Sequence, residues 1–172
     1  MGLDMYLTGN KYFWADWKNP ENNLTLDGFE ISDVNLELGY WRKHPDLHGF
    51  IVQTFAGGKD ECQDIPLSAE NILTIIKAVK EDNLPYTQGF FFGGSYKPGD
   101  GEDYEKQKQE DIEILTKAYL WLTGEEMPKD LLKELDLGSL PVGELGMQAH
   151  LIDLEKIKDL ETTNSVVYRA SW

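Results

Sequence analysis

Two stretches of this chain set large rings beside polar groups and glycines: Glu37-Leu-Gly-Tyr-Trp-Arg-Lys-His-Pro-Asp-Leu-His48 and Leu84-Pro-Tyr-Thr-Gln-Gly-Phe-Phe-Phe-Gly-Gly-Ser-Tyr96. The first gathers Arg42, Lys43 and two of the three histidines in a chain with 31 acids against 16 Lys plus Arg, so it is the place where an anion would settle. Guanidinium groups pair with phosphate through a two-pronged fork, and aromatic rings stack on planar bases. The candidate ligand-binding residues are therefore Tyr40, Trp41, Arg42, Lys43 and His48, joined by Gln88, Ser95 and Tyr96, where glycines let backbone N–H groups approach a ligand. A plainer reading stays open: Trp41 packs in the core, Arg42 and Lys43 answer neighbouring acids, and the glycines serve tight packing under the Phe rings.

Catalytic chemistry finds less support. His44 and His48 stand four apart, the spacing of paired histidine ligands, but Pro45 follows His44 where the zincin pattern has Glu, and no third ligand is marked. No metal site is expected. A Ser-His-Asp triad depends on spatial proximity that scattered residues do not establish. Cys62 lies in Asp60-Glu-Cys-Gln-Asp64, among acids that disfavour a reactive thiolate.

A length of 172 residues suits one domain, which buries roughly 70% of the surface of its unfolded chain. Hydrophobic residues at 41% and aromatic residues at 12% are enough for a packed core. The net charge of -15 opposes direct binding of nucleic acid, which needs clustered cations to displace counterions. It permits the opposite role, an acidic mimic that occupies a basic nucleic-acid channel on another protein. A single cysteine forms no internal disulfide and suits reducing cytoplasm. The start, Met1-Gly-Leu-Asp-Met-Tyr-Leu, lacks the pattern of a signal peptide, and no run of about eighteen apolar residues marks a membrane span. Tyr6 stands where a myristoylation motif wants Ser or Thr.

The elements that must position these groups follow from periodicity. Leu3, Met5 and Leu7 alternate with polar residues and predict a strand over 2–8. The aromatic stretch 12–17 ends at turn formers, suggesting a hairpin with 24–38 in which Asp27-Gly28 marks a further turn. After Gly39, Trp41, Leu47, Phe50 and Ile51 suit one face of a helix ending near Ala56-Gly57-Gly58. Pro45 makes that helix begin at His44-Pro45 or kink there. Residues 68–82 predict a helix capped by Ser68, 88–94 a buried strand, 102–122 a long helix stopped by Gly124, and 165–172 a last strand. From 125 to 160, short patterns broken by Pro and Gly read as a helical appendage. The expectation is a single α+β domain over 1–172, a small, mainly antiparallel sheet packed with three or four helices.

Four islands, Met1 to Leu7, Leu38-Gly-Tyr-Trp-Arg-Lys43, Gly89-Phe-Phe-Phe-Gly93 and Tyr168-Arg-Ala-Ser-Trp172, resemble a family of small uncharacterised proteins encoded by bacteriophages and prophages. The resemblance implies a phage-related setting in the host cytoplasm, where small acidic proteins counter host defence. With it, the expected function is that of a non-enzymatic binding protein that needs no cofactor. Its partner would be an anionic, nucleotide-like molecule or a host protein, held through Trp41, Arg42, Lys43 and the 88–96 segment. The alternatives are a metal-assisted hydrolase using His44 and His48, and the acidic nucleic-acid mimic.

Overall fold

The computed structural model describes residues 2–88, 93–124 and 161–172. Its first strand, β1 (Asp4–Phe13), continues the alternation of the opening residues well beyond residue 8. The extra length comes from pairing on both sides. Strand β4 (Asp33–Arg42) runs antiparallel from Asp4↔Arg42 to Tyr12↔Asp33, with a bulge between Leu7 and Thr8. Strand β6 (Thr162–Ser171) runs antiparallel from Asp4↔Ser171 to Phe13↔Thr162. A short edge strand, β5 (Ile65–Leu67), pairs with β6 and completes the order β4-β1-β6-β5. Between β1 and β4 the chain makes a small hairpin, β2 (Thr25–Leu26) with β3 (Phe29–Glu30). Asp27 and Gly28 supply the positive φ values, 51° and 83°, that its turn requires.

Among the described residues three helices cover one face of the sheet: α1 (Pro45–Phe55), α2 (Ala69–Lys80) and α3 (Glu102–Thr123). Pro45 occupies the first turn of α1, where its missing N–H has no intrahelical partner. Trp41, expected on that helix, instead belongs to β4, and the chain changes direction at Lys43, which adopts φ 56°. Ser68 caps α2 by accepting a hydrogen bond from the Asn71 amide, and Gly124 ends α3 in the left-handed conformation. Residues 89–92 of the expected strand over 88–94 and the expected appendage over 125–160 lie outside the described residues. Gln88, Gly93 and Gly94 stand outside regular structure.

The core lies between sheet and helices. Leu3, Met5 and Leu7 meet Ile72, Ile75 and Leu115 there, all fully enclosed. Helix α3 presses so closely on the sheet that a Cβ on Gly9 would stand 2.5 Å from the Trp121 Nε1, and one on Gly39 would overlap the Ile114 side chain. The result is an α+β fold with a mainly antiparallel sheet. Gly39→Ala should cost about 1–3 kcal/mol through overpacking against a stiff β-branched side chain. Urea unfolding measures it, and an unchanged midpoint would contradict this close approach.

Candidate functional site

The two segments singled out by sequence meet. Ser95 Oγ lies 2.9 Å from His44 Nδ1 and accepts a hydrogen bond from the Asp46 amide at 3.1 Å. The Thr87 amide donates to Asp46 Oδ1 at 2.8 Å, and the Lys43 stem lies against Gly93. Strand alternation nevertheless separates their side chains. Along β4, Trp41 points into the core at 6% exposure, while Tyr40 and Arg42 face solvent on the other side.

Behind the sheet, Asp111 is the hub. At 1% exposure it accepts from Trp41 Nε1 through Oδ1 at 2.8 Å, and its Oδ2 lies 2.9 Å from His44 Nε2. A carboxylate accepts only, so it fixes the proton on Nε2 and leaves Nδ1 to accept from the Ser95 hydroxyl. This places Ser95, His44 and Asp111 in the order of a nucleophilic relay that spacing alone did not reveal. The setting is that of a clasp: each of these groups is partnered, and the pocket beside them, lined by Asp46, Tyr96, Gln107 and Lys108, measures about 30 Å³, room for about one water. Its mouth is drawn together by Asp82, which accepts from Lys108 Nζ at 2.6 Å and from the Tyr104 hydroxyl at 2.5 Å. These bonds hold the Asp82 carboxyl below its usual range, and burial, aided by Asp82, pushes the Tyr104 phenol up.

His48 belongs to another network. Its Nδ1 lies 2.7 Å from the Tyr168 hydroxyl and its Nε2 2.9 Å from Asp60 Oδ2. Burial, followed by the Asp60 charge, raises the Tyr168 phenol. Among the described residues no three His, Cys, Asp or Glu side chains converge as a metal site would require. Lys43, Gln88 and Tyr96 are exposed, the Lys43 amide donating to Leu3 O at 2.8 Å and the Tyr96 amide to Gln107 Oε1 at 3.3 Å.

The face of the sheet away from the helices carries a different constellation. Register sets Tyr40, Tyr6 and Arg169 in one row, and Asn35, Asn10 and Ser165 in another. Between the rows lies a groove of about 350 Å³ with Thr8 and Val167 as its floor, Tyr6, Arg169 and Asp64 lining one part, and Asn10 and Asn35 the other. The Tyr6 ring is backed by Tyr40, centroids 5.3 Å apart, and the Tyr40 hydroxyl donates to Asp4 Oδ1 at 2.5 Å. That hydrogen bond holds the Tyr40 phenol above its ordinary value. Arg42 stands 3.9 Å from Asp4 and Arg169 3.7 Å from Asp64, each with its side chain more than 60% exposed, so neither guanidinium is consumed by its carboxylate. Tyr6, Asn10, Asn35 and Arg169 escaped sequence reading, because cross-strand rows between distant segments have no local signature. The alternation of Tyr6, Thr8 and Asn10 was the available hint.

Comparison with known protein families, curated proteins and solved structures finds no match for the chain.

Asp111→Ala should strand two buried donors, at about 1–3 kcal/mol each, and the loss is read by urea unfolding. A pH profile tests Asp82. Stability supplied by a carboxyl lowered from 3.8 is present above that pH and disappears as pH falls through the folded value. Asp82→Asn should therefore be less stable at neutral pH and lose less on acidification, and parallel profiles would refute the assignment.

Proposed function

We propose that this is a non-enzymatic binding protein that holds an anionic, nucleotide-like molecule on the open face of its sheet. The observation that carries the reading is the groove itself, which joins an aromatic wall, a floor of Thr8 and Val167, an amide pair and an exposed guanidinium beside Asp64 in one concavity of about 350 Å³. That is the size range of small-molecule sites, and the combination suits a planar ring with a phosphate. A base lies on the Thr8 and Val167 floor against Tyr6, and Arg169 takes the phosphate in its fork. Tyr40 supports the Tyr6 ring, and Arg42 adds a second cation on the same face. The chain's net charge of -15 favours a small anion over a polymer, because a long phosphate backbone would meet repulsion beyond the groove. The enclosed Ser95-His44-Asp111 clasp, with about 30 Å³ beside it, supports binding over turnover. The resemblance to phage proteins supplies the setting: sequestration of a nucleotide-like molecule in the host cytoplasm as a counter to host defence.

Thermal unfolding with millimolar nucleoside monophosphates tests the reading. A ligand at 100 times its dissociation constant should add about 2.7 kcal/mol of stability. Tyr6→Ala and Arg169→Gln should remove the shift while leaving the circular dichroism spectrum unchanged. No shift with any nucleotide overturns the small-molecule reading, and stoichiometric co-purification with a host protein would then assign the face to a protein partner.

A further inference from the structure

We infer that the groove selects nucleotides whose base carries an amino group on its pairing edge, a 6-aminopurine or a 4-aminopyrimidine, over their keto counterparts. The inference rests on the open-face reading above and concerns the end of the groove opposite Tyr6. Asn10 stands four residues beyond Tyr6 on β1, about 13 Å along the strand. Once the side chains of both rows are subtracted, that span leaves the width of one base lying on Thr8 and Val167. The edge of the base farthest from Tyr6 then meets the amides.

At that end the donors of Asn10 are already engaged. Asn10 Nδ2 donates to Asn35 Oδ1 at 3.0 Å and approaches Asp33 Oδ1 at 3.4 Å. Asn35 Nδ2 also turns to Asp33 Oδ1, at 3.4 Å. Asp33 in turn accepts from Ser32 Oγ through Oδ2 at 3.2 Å. The Asn10 NH2 is directed at the Asn35 carbonyl and toward Asp33, which leaves the Asn10 carbonyl, with the Asp33 carboxylate behind it, as the acceptor presented to a visitor. An exocyclic amino group donates to such an end. A keto oxygen in the same place would set acceptor against acceptor and leave both desolvated without a partner. Arg169 is the cation that lines the groove, with Asp64 3.7 Å from it, so the phosphate is placed at that end by the guanidinium.

Paired nucleotides that differ at this group and in the proton on the adjacent ring nitrogen give the test: AMP against IMP, and CMP against UMP, titrated into the full chain by calorimetry. AMP should bind roughly 10- to 100-fold more tightly than IMP, and CMP should exceed UMP in the same sense. Asn10→Val keeps a strand-compatible side chain and should bring AMP down to the affinity of IMP without weakening IMP. Asp33→Asn, which turns an acceptor-only group into a mixed one, should narrow the ratio by a route that leaves Asn10 in place. Arg169→Gln should weaken all four nucleotides alike and leave the ratios intact. Equal binding of AMP and IMP overturns amino selection while leaving the binding face standing. Failure of all four to bind removes both the selection and the open-face reading.

Discussion

The register of β1 is the constraint from which the rest follows. This strand is paired along its length with β4 on one side and β6 on the other, so Met5, Leu7, Gly9 and Phe13 turn to the buried side and its even residues form the middle column of the face away from the helices. A slip of one residue would turn Leu3, Met5 and Leu7 out to solvent and bury Asp4 and Tyr6, so the hydrophobic term selects one register strongly. The Leu7/Thr8 bulge is where this constraint meets the helices. One extra residue in β4, Leu38, lets Gly39 and Trp41 face inward next to Met5 and Leu7, while Tyr40 and Arg42 stay with Tyr6 and Asp4 outside. The smallest residue then falls where α3 comes closest.

Asp111 performs the corresponding task on the covered side. A buried carboxylate is costly unless several donors answer it, and here one comes from β4, through Trp41, and another from the start of α1, through His44. Ser95 extends the chain of bonds to the segment after the glycines and returns it to the α1 backbone at Asp46. Four parts of the chain are thus tied at one point with directional bonds that hydrophobic contact alone would not supply. The clasp explains why the two ring-rich segments adjoin, and it also explains why their meeting place leaves little room for a ligand. Proximity of polar groups there serves orientation, and the concavity lies across the sheet.

Local signals were legible and nonlocal ones were not. Ser68, the isoleucine spacing of α2, the apolar spacing of α3 and Gly124 each act within a few residues, and both helices formed as read. The Asp27-Gly28 turn formed for the same reason. Trp41 was misplaced because its spacing to Leu47 and Ile51 fits a helical face by coincidence, whereas Pro45 could only open the helix, leaving Trp41 to the strand before it. Strand β5 is three residues long and owes its existence to pairing with β6, a partner about a hundred residues away. The open face was illegible for that reason too. Tyr6 and Arg169 are neighbours only once the two ends of the chain pair, and nothing near either residue announces the other.

The placement of charge decides what such a face can hold. The acid-rich start of α3 carries Glu102, Asp103 and Glu105, and α3 packs on the covered side, so the sheet stands between those charges and the groove. At physiological ionic strength, interactions across more than about 8 Å of solvent are largely screened, so among the described residues the groove experiences mainly its own rim. That rim is mixed: Arg169 faces Asp64 across 3.7 Å, Arg42 faces Asp4 across 3.9 Å, Glu37 pairs in register with Thr8, and Asp33 stands behind the amides. A mixed rim gives little long-range attraction to anions and so no general affinity for phosphate polymers. In the proposed binding mode, specificity comes from the arrangement of a few groups at contact distance, while the bulk charge of the chain keeps longer polyanions away.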